Sequence, residues 1–320
     1  MTGNHRLQVI AHRGGAALRV ENTLAAFDNA LNLGTDGAEL DVHMSRDGQV
    51  VVHHDDTLND GYCRAANGAW IDVANRPRIA DLTLADLQCY EIGTPRPGSG
   101  YARRHAKVES VPGQRIPLLR DVIRLVKARS SRFRLVIEIK TPMLEAARQP
   151  WRALVAATLE IIRAEDFAAR AILCSFDWGA LVGANQQCPA LSTWFTTAPL
   201  SWFARGQPPP EDDPPNPDEL ESLRHLYGAN AAPWFAGFDP QQLPGGYPEA
   251  VAAARGDAWF MYDRDCTAQR VRALSERGLV AATWGPNVHD RDDLTRLART
   301  GLDAVCLDEP TVALNGSASS

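Results

Sequence analysis

Short apolar runs recur along this sequence with helical patterns between many of them, and that rhythm constrains the fold more than any other feature. Eight runs qualify as strand candidates: Leu7–Ala11, Gly37–Val42, Arg134–Ile139, Ala171–Ser175, Leu191–Thr196, Trp259–Tyr262, Val280–Trp284 and Ala304–Leu307. Runs of this length, bounded by Gly and Asp, read as strands buried on both faces. Strands alternating with helices predict parallel pairing and right-handed crossovers. Eight such units close most naturally as a (β/α)8 TIM barrel of the α/β class. The helix over Thr23–Leu33 carries Leu24, Phe27 and Leu31 on one stripe, with Asn22 placed to cap it and Gly34 to end it. A second, Asp290–Thr300, opens on Asp290 and Asp293 and stops at Gly301. Length alone would suggest two domains. A single barrel of about 250 residues plus insertions also fits, and at 45% hydrophobic the 320-residue chain can bury a large core.

Polar groups gather where the first runs finish, and in such a barrel the active site lies at the C-terminal strand ends. Ile10-Ala11 leads into His12-Arg13-Gly14, and Val50-Val51-Val52, read as a further buried parallel strand, leads into His53-His54-Asp55. Within Ala38-Glu39-Leu40-Asp41-Val42 the two acids share one strand face and the apolar residues share the other. Like charges that close repel unless a cation lies between them. Hard divalent ions such as Ca²⁺ and Mg²⁺ choose carboxylate oxygen. The same alternation recurs in Leu135-Val136-Ile137-Glu138-Ile139-Lys140, which offers a third acid and a lysine suited to phosphate.

Histidine titrates near neutral pH, so His12 and His54 form the natural proton-transfer pair. His53 and His54 point to opposite strand faces, which lets only one of them enter a site. His43 shares a face with Asp41 and is expected to line the mouth without doing chemistry. His5, His105, His225 and His289 read as structural. Arg13 offers a planar fork for phosphate oxygens.

These pieces, in order, resemble the glycerophosphodiester phosphodiesterase family. The likeness rests on His12-Arg13-Gly14, Glu21-Asn22-Thr23, Glu39-Leu40-Asp41, Asp47-Gly48 and His54-Asp55. It continues through Arg115-Ile116-Pro117-Leu118-Leu119, Ile137-Glu138-Ile139-Lys140 and Ser175-Phe176-Asp177 to Thr283-Trp284, Asn287, Gly301-Leu302-Asp303 and Asp308-Glu309-Pro310. No single tripeptide is specific; the ordered set is. The resemblance implies a (β/α)8 barrel that hydrolyses glycerophosphodiesters to sn-glycerol 3-phosphate and an alcohol, using one divalent cation, Ca²⁺ or Mg²⁺. It gives His12 and His54 acid–base roles, Glu39, Asp41 and Glu138 the metal, and Arg13, Lys140 and Trp284 the substrate. Gly285-Pro286-Asn287 departs from the family's usual run after the tryptophan, and the segment after Leu58 lacks its usual Arg-Thr. Both departures bear on the choice of alcohol. Two alternatives share the residue set: a phospholipase D-like hydrolase of lysophospholipids or sphingomyelin, and a barrel that binds phosphodiesters without cleaving them.

The bulk properties narrow the partners. A formal net charge of −6 argues against nucleic acid or an anionic membrane. The six cysteines show no CxxC spacing and read as reduced, mostly buried thiols. No apolar run is long enough to span a bilayer and no leader is evident, so a cytoplasmic enzyme acting on a small molecule is expected. Two stretches break the rhythm. Residues 57–115 are too long for an ordinary βα loop and read as an insertion after the second barrel strand that covers the site. Residues 198–257 hold a Pro-rich run, 207–217, and read as a loop expansion between the fifth and sixth strands. Trp202, Phe203, Trp234 and Phe235 flank that run and are expected mainly in the core.

Overall fold

A computed structural model describes residues 6–204 and 216–314. The strands are β1 (Gln8–Ala11), β2 (Gly37–Met44), β3 (Val50–Val52), β4 (Arg134–Ile139), β5 (Ala171–Ser175), β6 (Ser192–Thr196), β7 (Ala258–Tyr262), β8 (Val280–Trp284) and β9 (Ala304–Leu307). Their order is β1-β9-β8-β7-β6-β5-β4-β2-β3, and β1 also pairs with β2. The fold is a (β/α)8 barrel, each parallel strand lying on an expected run to within a residue or two. β3 corrects one reading. It runs antiparallel to β2, with Val42 opposite Val52 and Met44 opposite Val50, because Ser45–Gln49 turn the chain straight back.

The molecule divides into two compact units, one built chiefly on Val9–Lys140 and the other chiefly on Ile172–Val305. In the first, β2 pairs with β1 and β4 in parallel. The register requires Gly37, where a Cβ would come within 2.5 Å of the Arg134 carbonyl oxygen. Val9, Ile10, Leu40, Val42, Leu135 and Ile137 fill the interior of these strands. Helix α1 (Leu24–Leu33) buries Ala26, Phe27 and Ala30, so its inward face is centred between the expected Leu24 and Leu31, which lie at its edges. Gly34 ends it in the left-handed conformation as expected, but the cap is Thr23, whose side chain accepts from Ala26 N. Asn22 is drawn away to Asp41.

Residues 57–115 of the same unit carry two short helices, α2 (Leu84–Leu87) and α3 (Gly100–Arg104), and isolated bridges such as Arg64 to Glu91. They have an apolar cluster of their own, with Leu58, Tyr62, Ile79, Leu87, Ile92 and Tyr101 gathered around Val20 and Val51. Helix α4 (Leu119–Arg129) follows and buries Leu119, Val122, Ile123 and Val126.

In the second unit β5 to β8 pair in parallel through residues from Ile172 to Trp284. Most of the Pro-rich run lies outside the described residues, as does His5. Of the aromatic residues that flank the run, Trp234 and Phe235 are buried, whereas Trp202 and Phe203 are half-buried, Phe203 stacking on Tyr227 at 4.2 Å. Among the described residues no helix is long and apolar enough to cross a membrane. Of the six cysteines, only Cys89 is exposed.

Candidate active site

Strand alternation and register build the centre of the first unit. Glu39 and Asp41 project from the same face of β2, and the parallel register sets Glu138 of β4 beside Asp41. Ligand oxygens of the three carboxylates lie within 4.8 Å of one another. Glu39 Oε2 accepts from the Arg13 backbone N–H at 3.0 Å, while its buried Oε1 has no hydrogen-bond partner. Burial, reinforced by Asp41 and Glu138, pushes the Glu39 carboxyl up to about 8. Burial also works against the Asp41 carboxylate, but Lys140, His54 and Arg13 hold it well below the usual range. Asn22 donates to Asp41 Oδ2 at 2.8 Å, and Lys140 Nζ stands 3.5 Å from Asp41 Oδ1 and 3.1 Å from Glu138. Lys140 is raised despite burial because those two carboxylates surround it.

Each of the two singled-out histidines has a carboxylate of its own. His12 Nδ1 lies 2.6 Å from Asp308 Oδ1, and its Nε2 is 3.8 Å from Glu39. His54 Nδ1 lies 2.8 Å from Asp55 Oδ1, and Asp55 is steadied by Asn59 at 2.7 Å. Carboxylate oxygens accept, so in both rings the Nδ1 proton is engaged and Nε2 is available for chemistry. The environments differ. Burial disfavours the charged form of His12, yet Asp308 outweighs it and raises the ring. Burial, then Arg13 and Lys140, lowers His54 to about 4. His43 Nε2 donates to the His54 carbonyl oxygen at 3.0 Å, so it braces the loop. His53 is fully buried and its Nε2 donates to the Thr57 carbonyl oxygen at 3.1 Å.

Arg13 turns its backbone into the left-handed region, φ 50°. This is a costly conformation for a residue with a side chain. Its guanidinium reaches Glu21 at 3.2 Å and stands 3.6 Å from Asp41. Six carboxylates (Glu21, Glu39, Asp41, Asp55, Glu138 and Asp308) thus surround two permanent cations, Arg13 and Lys140. An orphaned carboxylate oxygen, an all-oxygen donor set and this charge excess together fit a hard divalent ion.

Trp284 belongs to the second unit. There its Nε1 donates to the Thr197 carbonyl at 3.3 Å, and its ring meets Phe176 and Tyr262 edge-on at 5.3 and 5.2 Å. Asp177 caps a neighbouring helix by accepting from Gly179 N, and burial raises it to about 6.

Sequence reasoning missed the supporting shell. Asp55 and Asp308 were visible only as pieces of a family pattern, and Asn22 was read as a helix cap. Left-handed φ at Asn22, 55°, turns its amide toward β2. The proximity of Asp55 to His54 was the one available signal.

A relative from Caldanaerobacter subterraneus subsp. tengcongensis, named glycerophosphodiester phosphodiesterase, is 32% identical over 183 residues, 57% of this chain and 63% of its own length. Lysophospholipase D GDPD1 of Homo sapiens is 57% identical over 81 residues, 25% of this chain and 22% of the human protein. The chain spans between 45 and 63% of the first three curated relatives it matches. A crystal structure from Silicibacter pomeroyi DSS-3, which carries the glycerophosphoryl diester phosphodiesterase name provisionally, superposes with a TM-score of 0.76. It is 26% identical, and the match covers 96% of this chain and 92% of that one. The Oleispira antarctica phosphodiesterase in complex with the product sn-glycerol-3-phosphate has a TM-score of 0.63 at 21% identity, over 95% of this chain and 93% of that one, and shares the fold. The family model of the glycerophosphoryl diester phosphodiesterases matches residues 12–205, well over half of the sequence, and the chain belongs to that family.

Proposed function

We propose that this protein hydrolyses glycerophosphodiesters to sn-glycerol 3-phosphate and an alcohol with the help of one divalent cation, Ca²⁺ or Mg²⁺. The observation that carries the proposal is the pair of carboxylate-braced histidines in the unit that also holds the Glu39–Asp41–Glu138 cluster. These three acids would hold the cation, which when bound neutralises charge on the phosphodiester oxygens. Arg13 and Lys140 bind the remaining non-bridging oxygens. One histidine takes the proton from the attacking oxygen as that oxygen bonds to phosphorus. The other donates a proton to the departing alkoxide as its bond to phosphorus breaks. The attacking oxygen is a water, which gives glycerol 3-phosphate directly, or the glycerol 2-hydroxyl, which gives a five-membered cyclic phosphate that a water then opens to the monoester. Trp284 contacts the substrate, and residues 57–115 help select the alcohol. The partner is a small molecule, and the setting is the cytoplasm.

A second reading, hydrolysis of lysophospholipids, is favoured by the similarity to proteins named lysophospholipase D in rat, mouse and human. One assay separates the readings. Purified protein is given glycerophosphocholine, glycerophosphoethanolamine or lysophosphatidylcholine after EDTA treatment, then with Ca²⁺ or Mg²⁺ restored, beside the His12→Ala variant. Metal-restored release of glycerol 3-phosphate that His12→Ala abolishes is the expected result. Cleavage of the lysolipid alone transfers the protein to the lipid-acting reading. Silence on all three substrates, with any metal, refutes hydrolysis and leaves a binding barrel.

A further inference from the structure

Arg13 does not hold its place alone. Its Nη1 donates to Glu21 Oε1 at 3.2 Å, and the same oxygen accepts from the Tyr62 hydroxyl at 3.3 Å. The Glu21 backbone N–H donates to the Tyr101 hydroxyl oxygen at 3.2 Å. Tyr62 and Tyr101 meet edge to face at 4.8 Å, and both are buried in the apolar cluster of residues 57–115. The next backbone N–H, that of Asn22, donates to the Arg13 carbonyl at 2.9 Å. One short loop is therefore tied to Arg13 at side chain and backbone, and to residues 57–115 by two tyrosine hydroxyls.

The electrostatic setting makes that tie consequential. Asp41 is already 3.6 Å from the Arg13 guanidinium, and Glu39 lies on its backbone side. Without Glu21 as counterweight, the guanidinium would settle onto the metal-site carboxylates, with less of its fork left for phosphate. Burial pushes the Glu21 carboxyl up to about 7 against the pull of Arg13, so its hold on the guanidinium leans on its hydrogen-bond donors, of which Tyr62 is one.

We infer that Tyr62 and Tyr101 are positioning residues for Arg13, acting through Glu21, so that residues 57–115 set how tightly the site grips a phosphate group. The inference rests on the reading of Arg13 as a phosphate-binding residue. A phosphate contact made alike in ground and transition states acts on binding rather than on turnover, whereas a purely structural defect lowers the active fraction and leaves affinity alone.

The test is calorimetric titration of glycerol 3-phosphate into the full chain in the presence of Mg²⁺. The variants are Tyr62→Phe, Tyr101→Phe, Arg13→Ala and the Tyr62→Phe/Arg13→Ala double variant, and steady-state kinetics on glycerophosphocholine run in parallel. Removing one hydrogen bond to a charged group should raise Kd for glycerol 3-phosphate, and KM, about five- to ten-fold in Tyr62→Phe. The kcat should stay within about two-fold, and the double variant should bind no worse than Arg13→Ala alone. An unchanged Kd in Tyr62→Phe, or an additive loss in the double variant, overturns the inference. Should Tyr62→Phe fail to fold, the same criteria apply to Tyr101→Phe and its own double variant with Arg13→Ala. Wild-type protein that binds glycerol 3-phosphate but cleaves no phosphodiester refutes the proposed hydrolysis and leaves this inference to be judged on Kd. Turnover by wild type with no binding of glycerol 3-phosphate and no change of KM in Tyr62→Phe overturns this inference alone and leaves the hydrolysis standing.

Discussion

His12 and His54 differ in what surrounds them more than in what touches them. Both rings place Nδ1 on a carboxylate, but Asp308 wins over burial at His12, whereas Arg13 and Lys140 add to burial at His54. Replacing either histidine with Ala should lower kcat by about 10²- to 10⁴-fold, the usual range for a general acid or base. Asp308→Asn should cost less than His12→Ala while leaving KM nearly unchanged, because it disturbs the orientation of the ring and not the substrate contacts; steady-state rates on one phosphodiester decide both. Asp177 provides a separate pH test. Its folded carboxyl is raised to about 6 from the ordinary 3.8, so burial disfavours the charged form. Below 3.8 the group is neutral in both the folded and unfolded states and carries no penalty; above 6 it is charged in both and the penalty is complete. Asp177→Asn retains a capping oxygen for Gly179 and loses the charge. Its stability relative to wild type should therefore rise by about 3 kcal/mol between pH 3.5 and pH 7, measured by urea unfolding at each pH. A flat difference would contradict this assignment.

At the scale of elements, β2 accounts for most of what the sequence makes legible. Residues two apart face the same way, so Ala38-Glu39-Leu40-Asp41-Val42 declares both its apolar and its acidic side without any knowledge of neighbours. The partner Glu138 follows from an identical pattern on β4. Asn22 was misread because Asn and Thr are both good caps and they are adjacent here. What separates them is a positive φ at Asn22 that no local pattern announces. The antiparallel course of β3 escaped for a related reason: Val50-Val51-Val52 has no period, and only the tight return at Ser45–Gln49 fixes its direction. The corrected cap gives a clean pair of variants. Thr23→Ala should destabilise the protein by about 1 kcal/mol through loss of the α1 cap with little effect on the rate. Asn22→Ala should leave that cap intact and lower activity, since it removes a donor from Asp41. Thermal unfolding and the phosphodiester assay, run on both, should show opposite profiles.

For the whole molecule, the barrel was readable because eight apolar runs with helices between them admit few alternatives. The links among residues 57–115, Glu21 and Arg13 were not, since Tyr62 and Tyr101 reach across distances that no periodicity encodes. The carboxylate excess has a global consequence. Glu39 and Glu138 are both pushed above the ordinary carboxylate range by burial and by Asp41, so their charge works against the folded state, and a divalent cation among the three acids would relieve that. Saturating Mg²⁺ or Ca²⁺ should then raise Tm by about 5 °C over the EDTA-treated protein, with monovalent salt at equal ionic strength giving less. Equal shifts with both would argue against a specific ion.

The contact between His12 and Asp308 joins residues 296 positions apart in the sequence. During synthesis the histidine waits for 296 further residues before its carboxylate exists. Any product of premature termination, frameshift or proteolytic clipping that stops short of Asp308 carries the histidine without its brace. The orientation of the ring is therefore tied to translation through residue 308, and a chain clipped before it has no carboxylate to hold the Nδ1 proton of His12.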